Sequence, residues 1–488
     1  MIETQHEQLI TYHSVTLGAM TRGGDALAVI TERDGEGREQ SRTISVPAGL
    51  PGERVTIAIE APAQRRPGKR RRHWKPRPPR VWITEISQPS PLRIQAPCPV
   101  FGTCGGCQLQ HMQYEAQLAW KCAVVGQLLH DSGGFENPPL LETVACDDPW
   151  HYRNHMRFSV NRSGQPGLTA RGTQRVLPLA CCPIADQQIN LALSVLSQLP
   201  NQRPQLLIRC GGASVLKRAR LSEGLSPPQT SLSAPTGTQS AASGQMLIQP
   251  QPKPEVIAQL AAVGLDIQTD TMEEVLAGET FRIRPSSFFQ TNTAQAKKML
   301  QMVLDGLGVG RGNDAVSTIV DAYCGVGTFA LLLAKRVGKV IAIEESASAI
   351  KDARWNLREV GNVEILKGKV EDVLPALAEQ VDGLVIDPPR AGCQQVVLDA
   401  LVHMPVARVV YVSCDPSTLA RDLNILCHLH PAYDLHSVQP LDMFPQTAHI
   451  ECVAVLERKQ LSGTHPLKED GLAKRLAQRK FLSSGQGH

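Results

Sequence analysis

Aromatic side chains are scarce in this chain, 4% of its 488 residues, and long apolar runs are missing. No stretch reaches the roughly 18 apolar residues that a membrane-spanning helix needs. The opening run Met1-Ile2-Glu3-Thr4-Gln5-His6-Glu7 lacks the apolar segment of a secretory leader. A cytoplasmic location and no membrane partner are therefore expected. A large charge imbalance is missing too: the net charge is only +4, and 42% hydrophobic with 20% charged residues is the composition of an ordinary globular chain. An even cysteine count is absent, since there are thirteen. Without a leader, that points to reduced thiols, metal ligands or catalysis rather than a disulfide framework. The length predicts two to four domains, and the chain is expected to act as a monomer.

What charge there is sits unevenly. Arg65, Arg66, Lys69, Arg70, Arg71, Arg72, Lys75, Arg77 and Arg80 crowd together with no acid among them, in a Pro-rich stretch unsuited to a core. Such a run predicts an exposed loop that meets phosphates, with Trp74 able to stack on a base. Around it, β-rich runs such as Ser14-Val15-Thr16-Leu17, Leu27-Ala28-Val29-Ile30 and Arg54-Val55-Thr56-Ile57-Ala58-Ile59 alternate with Gly turns. Residues 7–88 are thus expected to form an oligonucleotide-binding type of β-barrel. Residues 89–285 read as a cysteine-bearing α/β region with a Ser, Pro and Gln-rich insertion at 222–244, and 459–488 as a loose basic tail.

From 286 to 458 the pattern becomes strand, Gly loop, helix, strand, which predicts a doubly wound parallel sheet with its ligand at the carboxyl ends of the strands. Asp321-Ala322-Tyr323-Cys324-Gly325-Val326-Gly327-Thr328 is the Gly loop, and Glu344 closes the next strand, where an acid can accept from a ribose diol. This loop lacks the full dinucleotide fingerprint and suits S-adenosylmethionine better than a nicotinamide nucleotide. Asp387-Pro388-Pro389-Arg390 follows a later strand, its prolines stiffening the turn. Alone, it is compatible with an exocyclic-amine methyltransferase.

Cys414 and Glu451 separate the two chemistries. Pyrimidine C5 is a poor nucleophile, and thiolate addition at C6 converts the ring into an enolate that can take a methyl group. A base must then remove the C5 proton. Cys414 ends one apolar run and Glu451 opens another, so each task has a candidate. Upstream, Cys98, Cys104 and Cys107 stand close together, with Gly105 and Gly106 allowing a tight fold. Cys182 offers a fourth thiolate, with Cys181 beside it as a competitor; four thiolates could bind zinc or a four-iron cluster.

Together these motifs resemble, over nearly the whole chain, the RNA uracil-C5 methyltransferase family, especially its iron-sulfur 23S ribosomal RNA members of the uracil-1939 type. The resemblance implies an N-terminal TRAM barrel, a central [4Fe-4S] domain and a Rossmann-like S-adenosylmethionine domain. It implies Cys414 as nucleophile and Glu451 as base, with Gln290, Tyr323, Glu344 and Asp387 at donor-binding positions and Thr328 at another donor-loop position. It makes Cys98, Cys104, Cys107 and Cys182 the cluster ligands. The expected partner is 23S ribosomal RNA; transfer RNA, or an exocyclic amine of a nucleic acid, is the alternative. Two departures stand out: Asp415 replaces the family's common Asn beside the nucleophile, where it could raise the thiol pKa, and the 222–244 insertion is long.

Overall fold

The computed structural model describes residues 10–33, 38–60, 79–199, 203–211, 245–309, 317–377 and 381–459. The basic run from Arg65 to Arg77 with Trp74, the 222–244 insertion and the tail beyond 459 lie outside them. Arg80, the last residue of the basic run, places its guanidinium 5.2 Å from the centre of the Trp82 ring.

The first five strands are β1 (Ile10–Thr16), β2 (Ala26–Arg33), β3 (Glu39–Val46), β4 (Arg54–Glu60) and β5 (Arg80–Gln88). They form a β1-β4-β5 sheet and a β2-β3 pair. Alternate residues of both turn inward onto one apolar core of Val15, Ala26, Ala28, Ile30, Val46, Val55, Ile57 and Ile59. That alternation is what lets one face of each strand be buried while the other stays wet.

Next come helix α1 (Tyr114–Asp131), strands β6 (His155–Val160), β7 (Pro166–Thr169) and β8 (Val176–Pro178), and helix α2 (Gln187–Leu196). Strands β9 (Gln205–Cys210) and β10 (Gln245–Gln249), helix α3 (Pro254–Ala262), and strands β11 (Asp266–Gln268), β12 (Met272–Leu276) and β13 (Glu279–Ile283) follow. Strands β6 to β11 make a six-stranded sheet in the order β11-β10-β9-β6-β7-β8.

The C-terminal part begins with α4 (Thr293–Leu307), which Asn292 caps by accepting from the Gln295 amide and Gly308 ends at φ 72°. It continues through β14 (Thr318–Ala322), α5 (Thr328–Ala334), β15 (Lys339–Glu344), α6 (Ala347–Asn356), β16 (Val363–Lys367) and α7 (Val370–Val373). The rest is β17 (Gly383–Ile386), α8 (Gln395–His403), β18 (Arg408–Ser413), α9 (Pro416–Asn424), β19 (Tyr433–Leu441) and β20 (Glu451–Arg458). Their seven-stranded sheet runs β16-β15-β14-β17-β18-β20-β19. Its middle strands are buried on both faces, which is why they read as continuous apolar runs. One face packs on α4, α5 and α6. The other packs on α8, α9 and also Val125 and Leu129 of α1, so the preceding region supplies part of this core.

The expected parallel sheet holds from β16 to β18. β20 then enters antiparallel between β18 and β19. The reason is connectivity: β19 and β20 form a hairpin closed by residues 442–450, and a hairpin can only return antiparallel. Among the described residues, no helix is long and apolar enough to cross a membrane.

Candidate active site

The antiparallel return decides what stands at the ligand edge. In the parallel strands that edge is the carboxyl end, but in β20 it is the amino end, where Glu451 is the first residue. β18 and β20 pair up to Ser413 opposite Cys452. Cys414, the residue just after β18, and Glu451, the first residue of β20, therefore stand at the same end of this strand pair. On the other side of β18, β17 pairs Ile386 with Tyr411, so Asp387 emerges beside the same end. The residues flanking Cys414 tie themselves together: the Ser413 hydroxyl donates to the Asp415 carbonyl (3.0 Å) and accepts from the Asp415 amide (3.2 Å).

Electrostatics confirm the grouping. Burial pushes the Cys414 thiol up to about 11, Glu451 and Asp387 add to that by charge repulsion, and Arg390 opposes it. Glu451, 5% exposed, is held well above the usual carboxylate range by burial and then by Asp387, again opposed by Arg390. Asp387 is pushed up to about 7 by burial alone. The largest charge effects on the thiol come from Glu451, Asp387 and Arg390. Asp415, singled out from sequence, caps α9, accepting from the Ser417 amide at 2.9 Å. Arg390 also approaches His449, with a guanidinium nitrogen 3.5 Å from Nδ1.

Asp422 was not singled out by sequence, since an acid inside a helix carries no local signal. It is fully buried in α9 and accepts from the Tyr411 hydroxyl (2.7 Å) and the Cys393 amide (2.9 Å). It therefore locks β18, α9 and the turn after Asp387 into one unit.

At the neighbouring strand ends, β14 pairs Ala322 with Ile343 of β15 and with Ile386 of β17. The next residue of each strand is Tyr323, Glu344 and Asp387, so one row brings these three together. Glu344 accepts from the Gly325 amide (3.0 Å) and the Ser346 amide (2.7 Å), which fixes its carboxylate over the Gly loop. Gly325 has φ 57°, and a side chain there would project into open space. Tyr323 also adopts a left-handed backbone, φ 65°, an uncommon conformation for a bulky residue and one that clusters at ligand sites. Asp321 was missed as a separate candidate. It is fully buried beneath the Gly loop, and burial pushes it up to about 8, opposed by a backbone hydrogen bond from Ala330. Gln290 lies in the loop before α4, its carbonyl accepting from Asn154 at 3.3 Å. Thr328 begins α5.

The other thiol group lies apart. Cys98, Cys104, Cys107 and Cys182 line one small recess, walled by Val100, Phe101, Leu168 and Leu179, and Cys181 reaches it too. Two backbone links seat the Cys104 hairpin on the β7 side: the Gly105 amide donates to the Thr169 carbonyl (3.1 Å) and the Arg171 amide to the Thr103 carbonyl (2.9 Å). Cys182 is clamped by Asn190 of α2, which accepts from its amide (2.8 Å) and donates to its carbonyl (3.0 Å). Burial pushes Cys107 up to about 12 and Cys182 up to about 11, and the thiols reinforce one another. Among the described residues no three His, Cys, Asp or Glu side chains stand close enough to hold one metal ion. By its chemistry, a set of four thiols is a donor set that either zinc or an iron-sulfur cluster uses.

A mixed α/β sheet with a Gly turn into a helix, an acid on the next strand and a row of functional groups at the strand ends defines a Rossmann-like methyltransferase fold. The solved tRNA (uracil-54, C5)-methyltransferase of Pyrococcus abyssi, in complex with S-adenosyl-L-homocysteine, shares it: TM-score 0.62 at 22% identity, covering 91% of this chain and 100% of that one. A protein-family model described as tRNA (Uracil-5-)-methyltransferase matches residues 239–459. An uncharacterized RNA methyltransferase of Gloeobacter violaceus is 36% identical over 91% of this chain and 96% of its own. Another, from a Nostoc species, is 33% identical over 88% and 94%. The chain belongs to the RNA uracil-C5 methyltransferase family. Membership makes it an enzyme that methylates uracil in RNA with S-adenosylmethionine as the methyl donor.

Proposed function

We propose that this chain methylates C5 of one uridine in 23S ribosomal RNA, of the uracil-1939 type, through a covalent bond between Cys414 and C6. The observation that supports the reading is that β17, β18 and β20 end together, with Asp387 and Cys414 just past the ends of β17 and β18 and Glu451 at the start of β20. Cys414 sulfur, once deprotonated, adds to C6; the electron pair displaced to C5 takes the methyl group as the donor's sulfonium–carbon bond breaks. Glu451 then accepts the C5 proton, the C5–C6 double bond re-forms and sulfur leaves. A carboxylate whose pKa is raised is the stronger base, which suits that task. An exocyclic-amine methyltransferase would use neither Cys414 nor Glu451.

Gln290, Tyr323, Glu344 and Asp387 are proposed to hold S-adenosylmethionine, with Glu344 on the ribose diol. Cys98, Cys104, Cys107 and Cys182 are proposed to hold a [4Fe-4S] cluster, whose thiolate bonds would pin the hairpin of residues 98–107 to the turn before α2. Methyl transfer moves no net electrons, so no redox step is assigned to it. The four-thiol recess is what supports ribosomal RNA, because the resemblance links the cluster to the 23S members. Residues 7–88 are proposed as an RNA-binding TRAM barrel; Arg22, between its first two strands, donates to the Ser417 hydroxyl of α9 and so seats it beside Cys414. We further propose a monomer in the cytoplasm.

The direct test uses 23S transcripts carrying 5-fluorouridine, whose C5 cannot lose a proton. A stable protein-RNA adduct is expected, and none with Cys414→Ala. With ordinary uridine, Glu451→Gln is expected to stall as a methylated adduct. Normal methylation by Cys414→Ala would sink the mechanism. Mapping 5-methyluridine in a deletion strain tests the target; its loss from transfer RNA instead would favour the reading that the matched family description suggests.

A further inference from the structure

The hairpin loop 442–450 leads directly into Glu451 and is held almost entirely by other segments. Lys121 Nζ donates to the Phe444 carbonyl (3.2 Å), the Tyr152 hydroxyl to the Pro445 carbonyl (3.0 Å), and Asn292 to the Met443 carbonyl (3.1 Å). At its centre Gln446 is 2% exposed and has φ 68°. A side chain with a Cβ keeps that backbone only where its surroundings impose it.

The imposing groups come from the segment just after Cys107. The amides of Gln108 and Leu109 both donate to the Gln446 carbonyl at 3.0 Å. Gln117 of α1 pairs with Gln446 in both directions: its Nε2 donates to Oε1 (3.1 Å), and its Oε1 accepts from the Gln446 amide (3.3 Å). Gln108 bonds both ways along the chain. Its side chain accepts from the Ala448 amide (3.2 Å) and donates to the Gly105 carbonyl inside the cysteine hairpin (3.2 Å). One short segment is therefore bonded at one end to the thiol recess and at the other to the approach to Glu451.

We propose that Gln446 is a positioning residue for Glu451, and that its clasp with Gln108 and Gln117 makes the placement of that carboxylate depend on the fold of the 98–107 hairpin. The proposal rests on reading Glu451 as the base. It assigns the cysteine region an effect on one step, release of the methylated product, and not on attack by Cys414, which sits between β18 and α9 and, among the described residues, makes no bond to the 442–450 loop.

The test separates those steps in the full-length protein. Gln446→Gly tolerates the left-handed backbone, so the chain should fold, while the side-chain pairing with Gln117 is lost. With 5-fluorouridine 23S transcripts, adduct formation should stay near the unsubstituted rate. With ordinary transcripts, the fraction of enzyme caught as methylated adduct should rise about tenfold, as expected for a misplaced catalytic group. Gln117→Ala, on the other side of the clasp, should do the same. Hydrogen exchange should quicken in residues 443–450 and not in residues 293–307. Equal slowing of both steps, unchanged release, or unchanged exchange in 443–450 overturns the proposal. If the unsubstituted chain forms no 5-fluorouridine adduct, the covalent Cys414 reading falls, and with it the Glu451 step and this proposal.

Discussion

Two regions of this molecule gather thiols, and they differ in their neighbours. In the recess, Cys98, Cys104, Cys107 and Cys182 face one another across apolar walls. At the strand ends, Cys414 stands alone among Arg390, Asp387 and Glu451. Burial raises the thiol pKa in both places, so burial does not distinguish them. What does is the surrounding charge. A thiol packed among other thiols and apolar walls has little to favour its charged form, whereas a thiol beside one guanidinium and two carboxyls has groups that can take its proton or stabilise its charged form.

The comparison can be broken most severely by exchanging sulfur for oxygen. Cys414→Ser should lower methylation by about 10³-fold or more, since a hydroxyl is far less available as an anion, whereas Cys107→Ser should still form the 5-fluorouridine adduct. If both lose adduct formation alike, the two regions are not separable. The recess is sharpened by elemental analysis: Cys107→Ser should lose bound iron, and Cys181→Ser should retain it.

A smaller effect follows from the thiol's raised pKa. With thiolate as the attacking form, adduct formation should rise about tenfold per pH unit well below about 11. Arg390→Gln should slow it at neutral pH, because the opposing cation is gone. A rate independent of pH between 6 and 9, measured with 5-fluorouridine transcripts, would remove the thiol from the rate-limiting step.

The smallest effect is on stability. Asp321 has a folded pKa of about 8 against an ordinary 3.8, so the folded state holds the proton more tightly than the unfolded one. Its favourable contribution is full below about 4 and is lost as pH rises through 8. Asp321→Asn should therefore raise the Tm of ligand-free protein by roughly 2–4 °C at pH 9 and by less at pH 5. An equal gain at both pH values would show that the carboxyl does not titrate in the fold.

Much of the site was legible along the chain because its pieces are local. The run ending in Ala322, the Gly turn and the acid closing the next strand make a βα unit, so Glu344 could be picked out from the pattern and Asp387 from its Pro-stiffened turn, while Tyr323 came from the family resemblance. Cys414 and Glu451 were also legible as strand-end residues. Asp321 and Asp422 were not, because nothing in a single sequence says that a carboxyl will be fully buried, or that one in a helix will anchor a distant turn. The structural role of Asp415 was not read from sequence: an acid just before Pro416 is a natural helix cap, and its carboxylate accepts from the Ser417 amide of α9.

By itself, then, the order of residues determined the apolar strands, the turns between them, and the kinds of groups brought to the strand ends. Only the tertiary structure decided that Cys414 and Glu451 stand at one end of the paired strands β18 and β20, and that Gln108 links the cysteine segment to the loop before Glu451. Strand and turn propensities act over a few residues. The pairing of β18 with an antiparallel β20, and the partners of Gln446, are set by which distant surfaces pack together, and no short stretch of sequence carries that information.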